Sequence, residues 1–145
     1  MKKTDAPIII KEDFSCNRET LWKALTDLAF MKRWYFDQIE NFEATVGFKT
    51  QFVVTVEDRT YTHMWEIIEV IPLQKITYTW QFREHPGIST SNFEIIENKN
   101  GVSLLLTIEV LDDFPDTIPE FRRESCIAGW EYFINGNLKN YMASL

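Results

Sequence analysis

Few side chains in this 145-residue chain could carry a reaction. His63 and His85 are its two histidines, the side chains that titrate nearest neutrality, and Cys16 and Cys126 are its two thiols. General acid–base work on a carbonyl-bearing, polyketide-like substrate would need His63, Glu69 or Tyr78 to converge within hydrogen-bond reach of it. His63 lies in a strand-like stretch with Tyr61 and Trp65, either as a wall residue satisfied by its neighbours or as a base. His85 falls in Glu84-His85-Pro86-Gly87, which reads as a solvated turn. The cysteines lack metal-type spacing and read as buried free thiols, with one disulfide as the alternative. Nucleotide loops, zinc spacings, Gly-x-Ser-x-Gly elbows and thiol-enzyme orderings are missing, so no catalytic residue, metal or cofactor is assigned.

Binding chemistry is better represented. Aromatic residues make up 14% of the chain, more than a small core needs, and ring-walled pockets with a few polar groups suit small apolar ligands. Trp34, Trp65, Tyr78, Trp80 and Trp130 are the candidate rings, and for the tryptophans, Trp22 included, ordinary core packing is the other reading. Arg123 and Asn137 project inside an apolar helical stripe. Asn137 either meets a ligand oxygen or is satisfied by backbone or water; Arg123 is either solvent-exposed or grips a ligand carboxylate bidentately. With His63 they complete the candidate ligand-binding set.

Charge and composition bound the partners. Net charge is −7, so nucleic acid and anionic membranes are repelled overall. At 45% hydrophobic and 26% charged the chain is ordinary globular material, and its length suits one domain over residues 1–145. Lys2 and Lys3 precede Ile8-Ile9-Ile10, but Lys11-Glu12-Asp13 ends that run short of a secretory signal. A cytoplasmic protein with no stable membrane insertion is expected.

These side chains must be positioned by a strand, two short helices, a run of strands and a long helix. Ile8–Phe14 alternates, and Leu21, Trp22, Ala24 and Leu25 then adopt helical spacing. Asp27 can cap a second short helix carrying Leu28, Phe30, Met31 and Trp34. Six strands are expected near 39–44, 48–56, 60–71, 75–82, 89–98 and 101–110. Val102, Leu104, Leu106, Ile108 and Val110 give the clearest alternation. Thr117-Ile118-Pro119-Glu120 reads as a capping box opening a helix to the C-terminus, with Cys126, Ile127, Trp130, Phe133, Ile134, Leu138, Tyr141 and Leu145 on its apolar face and Gly129 permitting close backbone approach. The resulting α+β class has seven antiparallel strands in all. One register of the Pro72 hairpin would gather Trp65, Ile67 and Glu69 with Tyr78, Trp80 and Phe82; the other would bury Met64, Ile68 and Val70 and turn His63 outward.

Three motifs then resemble a known family in order. Leu21-Trp22-Lys23-Ala24-Leu25-Thr26-Asp27 followed by Trp34 is similar to the "VW-x-ALTDP … W" signature of the activators of a heat-shock chaperone ATPase, with Leu28 where proline is usual. Glu69-Val70-Ile71-Pro72 with Ile76-Thr77-Tyr78-Thr79-Trp80 resembles the family's "EV-x-P … LVYTW" hairpin, and Gly129-Trp130 its "GW" pair. The resemblance implies the START-like, birch-allergen-like helix-grip (SRPBCC) fold: a curved seven-stranded antiparallel sheet wrapped around a long C-terminal helix, with a cavity between them. It implies no particular reaction. The expected function is binding or sensing of a small apolar or amphipathic molecule. Alternatives are a chaperone- or other protein-interaction module and a cyclase- or hydrolase-like enzyme.

Overall fold

The computed structural model describes residues 1–145. Six strands, β1 (Ile8–Phe14), β2 (Lys49–Val56), β3 (Arg59–Ile71), β4 (Lys75–Phe82), β5 (His85–Asn98) and β6 (Gly101–Asp112), form one antiparallel sheet in the order β1-β6-β5-β4-β3-β2. Its inner face is written in the alternation of β6, where Val102, Leu104, Leu106 and Ile108 are buried. Two short helices follow β1. In α1 (Arg18–Thr26) the Asn17 side chain accepts from the Thr20 backbone N–H at 2.9 Å; in α2 (Leu28–Trp34) Asp27 accepts from Ala29 at 3.0 Å. Both caps satisfy donors a helix start leaves unpaired.

The sheet has six strands, not the seven expected, because residues 39–44 form no strand. Ile39 and Phe42 are nevertheless buried, while Asn41 accepts a 2.6 Å hydrogen bond from Thr50 Oγ1. Their apolar side chains are covered without ladder pairing. β5 begins earlier than expected, with His85 opposite Phe82; its ring lies 5.2 Å from that of Phe121, so His85 belongs to the sheet rather than to a solvated turn.

The hairpin between β3 and β4 contains both registers that parity allows. Near the turn Ile71 faces Lys75 and Glu69 faces Thr77; farther away Ile67 faces Tyr78 and Trp65 faces Trp80. The switch is a bulge at Ile68, one extra residue that lets a three-residue turn coexist with the ring-gathering register. Glu69 is thereby moved off the ring face and pairs with Lys75 at 2.7 Å.

The C-terminal helix also departs from expectation. Pro119–Phe121 forms a 3₁₀ turn, Arg122 is extended (φ −74°, ψ 148°), and α3 starts only at Arg123. The capping box does not form: no side chain caps the turn, and Glu120 pairs with Arg59. Phe121 is buried with Tyr61 and Phe114, which fixes the turn to the sheet. After α3 (Arg123–Glu131) the helix widens into a π-helical stretch, Tyr132–Leu138, and ends as α4 (Lys139–Ala143). Trp130, Ile134 and Leu138 are its buried residues.

Candidate functional site

The sheet register and the helix together leave a cavity of about 330 Å³ between β2–β6 and α3. Phe36, Trp80, Phe82, Phe121, Trp130 and Phe133 supply most of its aromatic wall. Its space comes from small residues on opposite sides: Ser89 and Ser91 on the sheet, Ser125, Cys126 and Gly129 on α3. A Cβ on Gly129 would meet no atom within 4 Å, so this glycine borders open space instead of permitting the close backbone approach expected of it.

His63 reaches the cavity because the ring-gathering register points it inward opposite Phe82. Its ring stacks on Phe52 at 4.8 Å and meets the edges of Trp80 and Phe82. Nδ1 lies 3.2 Å from the Tyr61 carbonyl, which can only accept, so Nδ1 carries the proton and Nε2 is left as an acceptor. Burial lowers the His63 pKa to about 4, against weaker opposing effects of the Tyr61 carbonyl and Glu84, and the imidazole is neutral at pH 7.

Three other polar atoms of the lining have no hydrogen-bond partner: the Tyr61 hydroxyl, Ser91 Oγ and Glu120 Oε2. Tyr61 and Ser91 are only 4% and 1% exposed, so water outside does not satisfy them. Burial would raise the Glu120 pKa, but a backbone N–H, the nearby Tyr61 hydroxyl and Arg59 outweigh it and hold the carboxyl below its ordinary range. The Tyr61 hydroxyl approaches Glu120 closely enough to lower its pKa as a weak donor, short of a full hydrogen bond. The Tyr61 pKa is itself pushed up by burial and then by Glu120. Cys126 at the cavity wall is raised to about 11, chiefly by burial, so its thiol stays protonated; both cysteines are free.

Of the eight residues expected to bind ligand, His63, Trp80 and Trp130 line the cavity. Trp34, Trp65 and Tyr78 do not, because packing claims them. The Trp34 indole donates to the Ala24 carbonyl at 2.8 Å and stacks on Tyr35 at 4.5 Å. Tyr78 and Tyr35 join their hydroxyls at 3.0 Å, and Trp65 lies over Tyr78 at 4.7 Å. Arg123 donates to the backbone carbonyls of Ala6 and Pro7 and does not line the cavity. Asn137 instead donates to the Trp34 carbonyl at 3.2 Å, tying the π stretch to the end of α2. Sequence reasoning missed Tyr61, Ser89, Ser91 and Glu120. The signal available was two serines in step with Phe93 and Ile95, on positions an apolar face should fill.

The acid–base set is not assembled: His63 lines the cavity, Tyr78 is sealed in the core and Glu69 is outside at Lys75. No three His, Cys, Asp or Glu side chains converge to hold a metal. No helix is long and apolar enough to cross a membrane.

The fold matches solved structures along almost its whole length. A Mesorhizobium loti protein is 20% identical, with a TM-score of 0.75 over 96% of this chain and 98% of that one. A Rhizobium leguminosarum protein is 14% identical, with a TM-score of 0.80 over 97% and 95%. The AHSA1 protein of Silicibacter pomeroyi is 19% identical, with a TM-score of 0.68 over 96% of both chains. At these identities the likeness concerns the fold. No curated protein matches by sequence. The family profile described as Activator of Hsp90 ATPase homolog 1-like protein, however, matches residues 15–143, a span holding all three resembling motifs. The chain belongs to the family of Activator of Hsp90 ATPase homolog 1-like proteins, on the helix-grip fold.

Proposed function

We propose that this protein binds a small, largely apolar molecule in the cavity between sheet and α3. The observation that carries the reading is a ring-walled space of about 330 Å³ whose few polar atoms lack protein partners. That volume is at the small end of ligand pockets, and an apolar lining with sparse polar groups is their usual composition. Binding or sensing needs no proton transfer, in keeping with the dispersal of His63, Glu69 and Tyr78 to three different environments.

Trp80 and Trp130 sit in the wall, so a bound molecule reports itself in tryptophan fluorescence. Titration with a panel of lipids and aromatic metabolites, with native mass spectrometry as a second readout, is expected to give saturable one-to-one binding. Gly129→Leu, which extends a side chain from the cavity wall, is expected to abolish it. Saturable binding left intact by Gly129→Leu, or no binding across the panel, would remove the reading. Co-purification of a stoichiometric protein partner, unaffected by that substitution, would favour protein association instead.

A further inference from the structure

We infer that the molecule bound in the cavity is an aromatic hydrogen-bond donor, a hydroxyl- or amino-bearing ring system, and that it is not an anion. This rests on the cavity-binding reading and adds the ligand's chemistry to it.

Two of the cavity's polar atoms can only accept. Glu120 is held ionised, and one of its oxygens is taken by Arg59; the other, Oε2, is shielded from solvent with no full hydrogen bond, the Tyr61 hydroxyl lying close to the carboxylate, and can only accept. His63 Nε2 is likewise an acceptor once Nδ1 donates to Tyr61. The hydroxyls of Tyr61 and Ser91 can give or take. The strongest unmet demand, that of the charged oxygen, is therefore for a donor. Leaving a charged acceptor buried and unpaired is costly, so a ligand supplying an O–H or N–H gains more there than one presenting only carbon.

The charge balance excludes the opposite choice. Glu120 is the only charged side chain in the lining, and no lysine or arginine side chain faces it. Arg59 is engaged on Glu120, Arg123 on backbone carbonyls, and the Met1 amino group on the Phe121 carbonyl. A carboxylate ligand would meet the Glu120 carboxylate, while the cations near the wall, the Met1 ammonium, Arg59 and Arg123, are already engaged, so a fatty-acid-like ligand is disfavoured. The remaining wall is made of flat rings, Trp80, Phe82, Phe121 and Trp130 among them, which stack or meet edge-on with another ring.

Three probes on one skeleton separate this inference from the reading beneath it: 2-naphthol, 2-methylnaphthalene and 2-naphthoate, each titrated calorimetrically. Naphthol is expected to bind about tenfold or more tighter than methylnaphthalene, with naphthoate weakest. Glu120→Gln should shrink the naphthol preference and improve naphthoate, and Tyr61→Phe, which keeps its ring against Phe82 and Phe121, should also shrink it. Equal binding of all three probes, or tightest binding of naphthoate, overturns the donor inference while leaving the cavity reading intact. If none binds, the cavity reading falls and takes the inference with it. Should one variant fail to fold, the other and the wild-type ranking still decide.

Discussion

Along the inner face of β5, Ile95 and Phe93 are packed into the core, whereas the next two inward positions are Ser91 and Ser89. The same division runs through the molecule. Toward α2 and the π stretch, Trp34, Tyr35, Trp65 and Tyr78 pack ring against ring with centroids 4.5–5.4 Å apart, and none of them lines the cavity. Toward α3, Ser89, Ser91, Ser125 and Gly129 leave the cavity. One sheet and one helix frame both regions, so hollowness here is a matter of side-chain volume and not of backbone path. Close packing is the default of a protein interior, and a void persists only where small residues fail to fill it.

Truncating one tryptophan from each region should separate the two most clearly. Trp34→Ala should destabilise by about 3–5 kcal/mol, since it removes a 1%-exposed ring together with its hydrogen bond. Trp130→Ala should cost less, because that ring already borders empty space, while changing ligand affinity more. Equal losses in thermal or denaturant unfolding would mean that the two regions are equally packed.

His63 stands at the boundary, and its protonation tests how dry the boundary is. With the folded pKa near 4 and an ordinary value of 6.5, the unfolded chain takes up the proton first as pH falls. The stability owed to neutral His63 is thus complete above pH 6.5 and lost as pH falls towards 4. The loss amounts to about 3 kcal/mol by linkage. Imidazole NMR shifts should titrate near pH 4, and a value near 6.5 would show that the cavity is open to water around this ring.

A smaller effect is expected in the solid region from a single oxygen. Tyr78→Phe leaves the Tyr35 hydroxyl buried without its 3.0 Å partner and should cost about 1–3 kcal/mol. Both phenols have pKa values raised chiefly by burial, so absorbance titration should show neither ionising until the protein unfolds. The smallest change belongs to the hollow region: Gly129→Ala should stabilise by up to about 1 kcal/mol through helix propensity, as its Cβ meets nothing within 4 Å. A destabilised Gly129→Ala would mean that α3 packs more tightly than described.

The solid region was the more legible of the two in the sequence. Alternation in β4 and β6 marks the inner face, and Asn17 and Asp27 mark both short helices. What could not be read arises from competition between distant parts. Thr117-Ile118-Pro119-Glu120 has a capping box's composition, but Phe121 is held by Tyr61 and Phe114, and Glu120 by Arg59, so the helix starts later. Ile39 and Phe42 have the apolar spacing of a strand, yet burial alone does not provide ladder partners. Trp34, Trp65 and Tyr78 looked like ligand rings because a sequence shows that a ring faces inward but not whether other rings have already filled the space. The cavity was hidden for the complementary reason: serine and glycine define it by the volume they do not occupy.

The π-helical stretch Tyr132–Leu138 bears on how the chain's length relates to its architecture. Trp130 and Leu138 are eight positions apart, an interval that in a regular helix rotates side chains by about 80°. Both are nonetheless buried. A stretch whose hydrogen bonds reach back five residues instead of four accommodates one surplus residue without disturbing the phase of the helix beyond it. Ile68 does the same in β3, where its flanking residues keep their faces around the bulge. The architecture thus contains at least these two spare positions, one in a helix and one in a strand. A homologous chain lacking either could superimpose on this one with its core contacts unaltered, the missing residue appearing as a gap inside a helix or strand and not in a loop.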